Sequence, residues 1–432
     1  MSSPRSLTKF LSGSNLDAFV TVTLLLRVVA ATQPLSCLNT TGSHVDWWTA
    51  LKFPGGDAFA YMDSNAAQDS SGRLVWTLGY DWAVTSGVPL AYTLQQLYKH
   101  AGQFGYVMWN DEFPGGDPPV WEGGAHAKGV LGLDQSSGFY VLHSVPKFPA
   151  APCVNCPGGI GNGTYTGIAL AQQLYGQSFM CMSMPASELD KVAQMANDEE
   201  VWVYDHMVPV GLQSVYPATM ALIADPHGTT ALHLGPPVIH WGTPLTSLGG
   251  QRGTAFAKSS STIPFLLYEQ VVEPFMQSGM FWETWQHGPG ALPQYCPASS
   301  QHPFSFTVAA VAVPDAAGWY VNRDHSKWGV TSDHAPACCH SQDTSGCLDL
   351  SGQTGVCFGD LNRQEHQGYR GGSAICFLDN RPLWAAWSDL VQKTQDCSSD
   401  VHVQPAAFSQ HSALQTTGYH NVTEAEMATL LV

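Results

Sequence analysis

Two short segments carry the same set of ionisable residues: "GGAHAKGVLGLD", with His126 and Lys128, and "NRDHSKWGVTSD", with His325 and Lys327. Asp134 and Asp333 each follow the lysine by six positions. An imidazole can attack phosphorus or donate a proton, and an ammonium can hold the charge that develops on phosphate oxygens. Two imidazoles and two ammonium groups therefore suffice to cleave a phosphodiester with neither metal nor cofactor. One histidine attacks, the other protonates the departing oxygen, and the lysines hold the non-bridging oxygens. On a strand, the two-residue side-chain period puts each histidine and its lysine on one face. The spacing thus predicts two strands whose His-x-Lys faces meet.

The elements around them read as α/β. Strands are predicted for "RLVWTLGYDW" and "GYVMWND", with a helix "VPLAYTLQQLYKHAG" between them ending at Gly102. Residues 125–133 and 138–145 read as strands joined by a "DQSSG" turn. Helical spacing recurs in "GIALAQQLYGQSF" and in "ASELDKVAQMAND", where Ser187 and Asp190 suggest a cap. A Pro- and Gly-rich stretch from Pro217 to Pro244 marks the boundary between halves. Beyond it come a helix near 264–279, strands "FWETWQ" and "FTVAAVAV", the strand carrying His325, and a helix "RPLWAAWSDLVQKTQ". The expected organisation is a signal peptide over 1–33, an N-terminal half over 34–235, a C-terminal half over 236–400 and a polar tail over 401–432. Apart from the His-x-Lys copies, the halves do not align by eye.

The formal charge of −17 at neutral pH argues against a polyanionic substrate. Histidine changes that balance: Lys plus Arg number 17, His another 17, and Asp plus Glu 34. With ordinary histidines titrating near about 6.5, acidification brings the net charge toward zero. The first residues, with Arg5, Lys9 and "AFVTVTLLLRVVAA", read as a secretory signal too short and too interrupted to span a membrane. The 11 cysteines, and sequons at Asn39, Asn162 and Asn421, fit the same oxidising route. An odd cysteine count leaves one thiol over within a monomer.

"CLNTTGSHVDWWTALKFP", "FYVLHSVPKFP", "YGQSFMCMS", "FAKSSS" and "CFGDLNRQEHQGYRGGSAICF", with the two His-x-Lys segments, together resemble deoxyribonuclease II. The resemblance implies an acid endonuclease, lysosomal or secreted, that cleaves DNA without metal and leaves 3′-phosphate and 5′-hydroxyl ends. It also implies a phospholipase D-like pseudo-dimer of two α/β halves, each a mixed sheet flanked by helices, acting as a monomeric pseudo-dimer or a homodimer. His126 is the preferred nucleophile, through a phosphohistidine, and His325 the proton donor, the reverse order remaining open. Asn362 matches an asparagine that hydrogen-bonds the phosphate. The resemblance further implies bridges between Cys37 and Cys181, between Cys296 and Cys376, and between Cys357 and one of Cys347, Cys338 or Cys339.

Other residues have plainer readings. "HAPACCH" has metal-ligand types but lacks the paired spacing of a zinc site, so half-cystines are the expectation there. Trp328, beside Lys327, is expected to stack on a base, and His143 to support substrate binding. The competing functions are hydrolysis of another phosphodiester, as in a phospholipase, and a secreted DNA-binding homologue without activity. The second would break a His-x-Lys, and both are intact.

Overall fold

The computed structural model describes residues 34–100, 102–114, 124–152, 163–226, 235–286, 290–294, 305–332 and 353–395. Their architecture is α/β and is built on two large sheets. The first, of eight strands, is centred on β1 (Trp47–Lys52), β2 (Gly105–Asn110), β3 (Lys128–Leu133), β4 (Ser137–His143) and β5 (Gln177–Pro185), in spatial order β2-β3-β4-β5-β1. The second, of nine, is centred on β6 (Arg252–Lys258), β7 (Met280–Glu283), β8 (Trp328–Thr331), β9 (Gly355–Gly359) and β10 (Gly372–Leu378), in order β7-β8-β9-β10-β6. All neighbours within both centres are antiparallel. In each five-strand centre the strand entered from a His-x-Lys is second in the order. The sequence predicted two mixed sheets. Only the second has a parallel pair, β7 with Ser305–Ala312, because tight turns such as the one between β3 and β4 reverse the chain in the first.

The central strands are buried on both faces, so they read as nearly continuous apolar runs rather than alternations. Leu131, Met180 and Met182 of the first sheet share one core with Val330, Ile375 and Phe377 of the second, closed by Leu189 and Val192 of α2 (Ala186–Glu199). Helix α1 (Pro89–Lys99) covers the far face of the first sheet through Leu90, Leu94 and Leu97. The turns through Tyr268, Val271 and Met276 cover the far face of the second. One packing device recurs: a Cβ on Gly129 would lie 2.4 Å from the Trp109 ring, and on Gly329 2.3 Å from the Trp282 ring. Each strand accepts a cross-strand tryptophan only because it has glycine there.

Several predicted elements change type. "GIALAQQLYGQSF" forms a single 3-10 turn, Leu170–Gln173, and then enters β5, since Phe179 to Met182 fill a site buried on both faces. "RLVWTLGYDW" yields only Thr77–Gly79 at a sheet edge. The last helix stops at Ser388, and Val391–Thr394 pairs instead with Ser305–Ala312. Ser187 does not cap α2, which starts after Pro185 with no side-chain cap. The Pro-rich stretch also contains a helix, Pro217–Ala224, whose backbone N–H groups at Ala218 and Thr219 donate to Asp190 on α2. No helix among the described residues is long and apolar enough to cross a membrane.

The Cys37–Cys181 bridge forms as expected, tying the first residues to β5. The other bridge corrects the expectation: Cys357 bonds Cys376, not the partners assigned above. Register decides it, for Cys357 on β9 stands directly opposite Cys376 on β10. Cys296, Cys338, Cys339 and Cys347, like Asn162, Asn421, Asp333 and the predicted signal peptide, lie outside the described residues. Asn39 sits in a turn where its Oδ1 accepts from the N–H groups of Thr41 and Ser43. Replacing both Cys37 and Cys181 by alanine is expected to lower stability by about 2–5 kcal/mol, measured by urea unfolding. The loop closed is long, with a sequence separation of 144, and its loss frees the unfolded chain.

Candidate active site

Both His-x-Lys segments run in extended backbone into their strands: Lys128 opens β3, and Lys327 immediately precedes β8. Each is pinned by hydrogen bonds from the opposite sheet, and the two sets match. The His126 N–H donates to Gly371 O and the His325 N–H to Gly176 O, both at 2.8 Å. Ring Nδ1 of His126 lies 2.8 Å from the Asp360 carbonyl oxygen, and Nδ1 of His325 2.9 Å from that of Ser144. The Lys128 N–H donates to Asp360 Oδ1 at 3.3 Å, and the Lys327 N–H to Ser178 Oγ at 2.9 Å. Behind them the Asp360 N–H donates to Ser373 O at 3.0 Å and the Ser144 N–H to Ser178 O at 3.1 Å. A carbonyl oxygen only accepts, so each Nδ1 carries a proton. In the neutral ring, Nε2 then holds the lone pair.

The two docking carbonyls sit on glycines for a steric reason. A Cβ on Gly176 would lie 2.5 Å from Asp324 Oδ1, and on Gly371 1.9 Å from Glu199 O. Neither backbone could approach the opposite sheet with a side chain present.

The surroundings of the two histidines differ. Beside His126, Asp111 Oδ2 lies 3.7 Å from Nε2 and 3.4 Å from Arg370 Nη2, while Oδ1 accepts from Lys128 Nζ. Contact with one carboxylate shows that His126 and Lys128 do present the same side. Beside His325 stands the half-buried Trp285, edge-on at 5.2 Å between ring centroids, with Tyr175 packed against it at 4.8 Å. Gln177 Oε1 lies 3.3 Å from His325 Nδ1, and Lys327 Nζ donates to the His325 carbonyl at 3.2 Å.

Burial and the nearby cations hold the pKa of both histidines well below the ordinary value, Asp111 opposing this at His126. Burial, reinforced by Lys128, pushes the Lys327 ammonium down to about 7. Desolvation of Asp111 is outweighed by Lys128, His126 and Arg370, so it stays a carboxylate. Burial raises Asp360 to about 6 despite the Ser373 and Lys128 hydrogen bonds. The site is a desolvated cluster of cations and imidazoles around a single firmly ionised aspartate.

Of the residues expected here, His126, Lys128, His325 and Lys327 converge. Asn362 lies two residues beyond Asp360, buried, with Oδ1 unpartnered and Nδ2 donating to Gln364 at 3.3 Å. Trp328 does not face substrate: it is fully buried and packs on Trp387 at 5.2 Å, because strand alternation turns it away from Lys327 into the core. His143 is likewise a core residue, its ring against Phe148 and Phe179 and its pKa pushed down to about 3 by burial. Asp134 directly follows β3, about 20 Å along the chain from Lys128 at roughly 3.4 Å per residue. Its Oδ1 accepts from the Gln135 N–H, so it orients no imidazole. Asp111, Arg370, Ser144 and Gln177 were missed. Asp111 closes the predicted strand "GYVMWND", but nothing local distinguishes it from a solvated strand end.

Paired histidines and lysines thus meet where two largely antiparallel sheets pack together on an α/β scaffold. The model of the family described as Deoxyribonuclease II matches residues 36–397, and the chain belongs to that family. Plancitoxin-1 of Acanthaster planci is 30% identical over 400 residues, covering 88% of this chain and 98% of that protein. Deoxyribonuclease-2-alpha of Mus musculus is 28% identical over 380 residues, covering 84% and 94%. Cell death-related nuclease 6 of Caenorhabditis elegans is 29% identical over 383 residues, covering 84% and 89%.

Proposed function

We propose that this chain is an acid endodeoxyribonuclease that works through a phosphohistidine, needs no metal and leaves 3′-phosphate and 5′-hydroxyl ends. The observation that carries this reading is the matched pinning of the two His-x-Lys copies, each imidazole held through Nδ1 so that Nε2 is the reactive nitrogen. The halves 34–235 and 236–400 then act as the two copies of a pseudo-dimer, which the matching strand orders support.

The sequence preferred His126 as nucleophile, but Asp111 favours the other order. A carboxylate 3.7 Å from Nε2 stabilises a charged imidazole, which suits His126 as the donor. His325 is the nucleophile: its Nε2 bonds phosphorus as the P–O5′ bond breaks, and His126 passes its proton to O5′. Neutral His126 next takes a proton from water, whose oxygen attacks phosphorus. The P–N bond breaks and the 3′-phosphate leaves. Lys128, Lys327 and Arg370 supply the positive charge that holds the phosphoryl oxygens.

The donor must be charged. Its pKa is held below the ordinary histidine value of about 6.5, so it is protonated, and the enzyme active, only in acid. This agrees with residence in an acidic compartment such as the lysosome, or with secretion into one. Supercoiled plasmid at pH 5 in excess EDTA is expected to be nicked, at a rate that falls as pH rises toward 7. Its fragments should require removal of a 3′-phosphate before a polymerase extends them. Loss of cleavage on chelation refutes the mechanism, and vesicle hydrolysis without DNA cleavage refutes the substrate.

A further inference from the structure

Two lysines far from each other in sequence are wholly buried, and neither belongs to the reacting cluster: Lys52 at the end of β1 and Lys258 at the end of β6. Neither makes an ion pair among the described salt bridges; both are bound by backbone oxygens. Lys52 Nζ donates to Phe53 O at 2.7 Å, Gly56 O at 2.8 Å and Gln173 O at 2.7 Å. Lys258 Nζ donates to Gly368 O at 2.9 Å and to Arg370 O. Burial lowers both ammonium groups to about 7, so the fold retains two expensive charges where a methionine would fill the same space.

The segments they hold explain this. Gln173 lies three residues before Gly176, whose carbonyl receives the His325 N–H, and Gly368 lies three residues before Gly371, whose carbonyl receives the His126 N–H. β1 and β6 each stand three strands from the His-x-Lys strand of their own sheet, so the two arrangements correspond. We propose that Lys52 and Lys258 are a pair of positioning residues, each ammonium fixing the segment whose glycine carbonyl docks the catalytic histidine of the opposite sheet. Hydrogen bonds to an ammonium, three at Lys52 and two at Lys258, fix loops that the glycine's own backbone freedom would leave loose. Lys52 sets His325 and Lys258 sets His126, so the two lysines govern different halves of the reaction.

The inference rests on the proposed two-histidine mechanism, and its test separates the two. Thymidine 3′-(4-nitrophenyl phosphate) releases a phenolate that leaves without a proton, so its first-turnover burst needs the nucleophile but not the donor, whose task as base comes only with hydrolysis of the intermediate. In first-turnover measurements Lys258→Met is expected to slow DNA cleavage at least ~10-fold and the aryl-ester burst by no more than ~2-fold, whereas Lys52→Met slows both by at least ~10-fold. The readout is the ratio of the two rates in one sample, from which the fraction of folded protein cancels. A ratio at the wild-type value in both variants overturns the positioning role. A ratio changed in Lys52→Met alone keeps it and exchanges the two histidines' tasks. Failure of the mechanism itself appears separately, as a wild-type protein that does not cleave DNA at pH 5 in EDTA.

Discussion

His325→Ala is expected to abolish DNA cleavage at pH 5, by at least about a thousandfold, and His126→Ala to do the same on DNA while sparing the first-turnover release of phenolate from an aryl phosphodiester. Each imidazole sits in a setting no neighbour can replace: its Nδ1 is committed to a carbonyl of the opposite sheet, leaving Nε2 as the one reactive atom. Water admitted into the space left by alanine is a poor nucleophile toward a phosphodiester and cannot donate as an imidazolium does. The check is single-turnover cleavage of a 32P-labelled oligonucleotide quenched in alkali, where a phosphohistidine N–P bond survives. Label should appear on the protein in the wild type and accumulate in His126→Ala with the aryl substrate, because hydrolysis of the intermediate lacks its base. It should be missing in His325→Ala. Label retained in His325→Ala and lost in His126→Ala would assign the roles the other way. Parental rates in either variant would place the chemistry elsewhere.

Lys327→Met should lower kcat on DNA by about 10²–10³-fold while leaving the melting temperature unchanged or higher. Lys327 is almost wholly buried, and among the described residues its Nζ hydrogen-bonds only the His325 carbonyl, whereas Lys128 has Asp111. In the proposed mechanism its charge is held for an oxyanion that arrives with substrate. The sign of the stability effect follows from its pKa of about 7, depressed from 10.5 mainly by burial. Below about 7 both folded and unfolded chains carry the proton, and the folded chain bears the full cost of a buried charge. Between about 7 and 10.5 the unfolded chain binds more protons, so wild-type stability rises with pH and the gain from methionine shrinks. Thermal melts of both proteins at pH 5 and pH 9 test this, with the larger difference expected at pH 5. A variant that melts lower at pH 5 yet cleaves normally would show that Lys327 serves the fold and not the phosphate.

How far the sequence carried this reading can be judged residue by residue. The Cys37–Cys181 bridge came only through the family that the motifs resemble, whereas the His-x-Lys pair and the α/β class came from side-chain types and spacing. Those are properties a linear chain displays, because an imidazole's chemistry and a strand's period are local. What failed depended on register and facing. Trp328 adjoins Lys327 in sequence, yet alternation sends it to the opposite face and into the core. Cys376 bonds the residue across the ladder, which no cysteine count can identify. The trailing Asp134 matched a pattern in sequence, but a strand carries it too far from the histidine to act.

The tertiary structure decided which atoms make two ordinary histidines a site. Their orienting partners are backbone carbonyls, at Ser144, Gly176, Asp360 and Gly371, and every residue has a carbonyl, so the sequence cannot mark these four. It also brought Asp111 to one imidazole and Trp285 to the other, making two look-alike copies unequal. Residue identity set what chemistry was available; the docking of one sheet against the other chose where it happens, because only desolvation and opposed backbone give those side chains one protonation pattern and one direction.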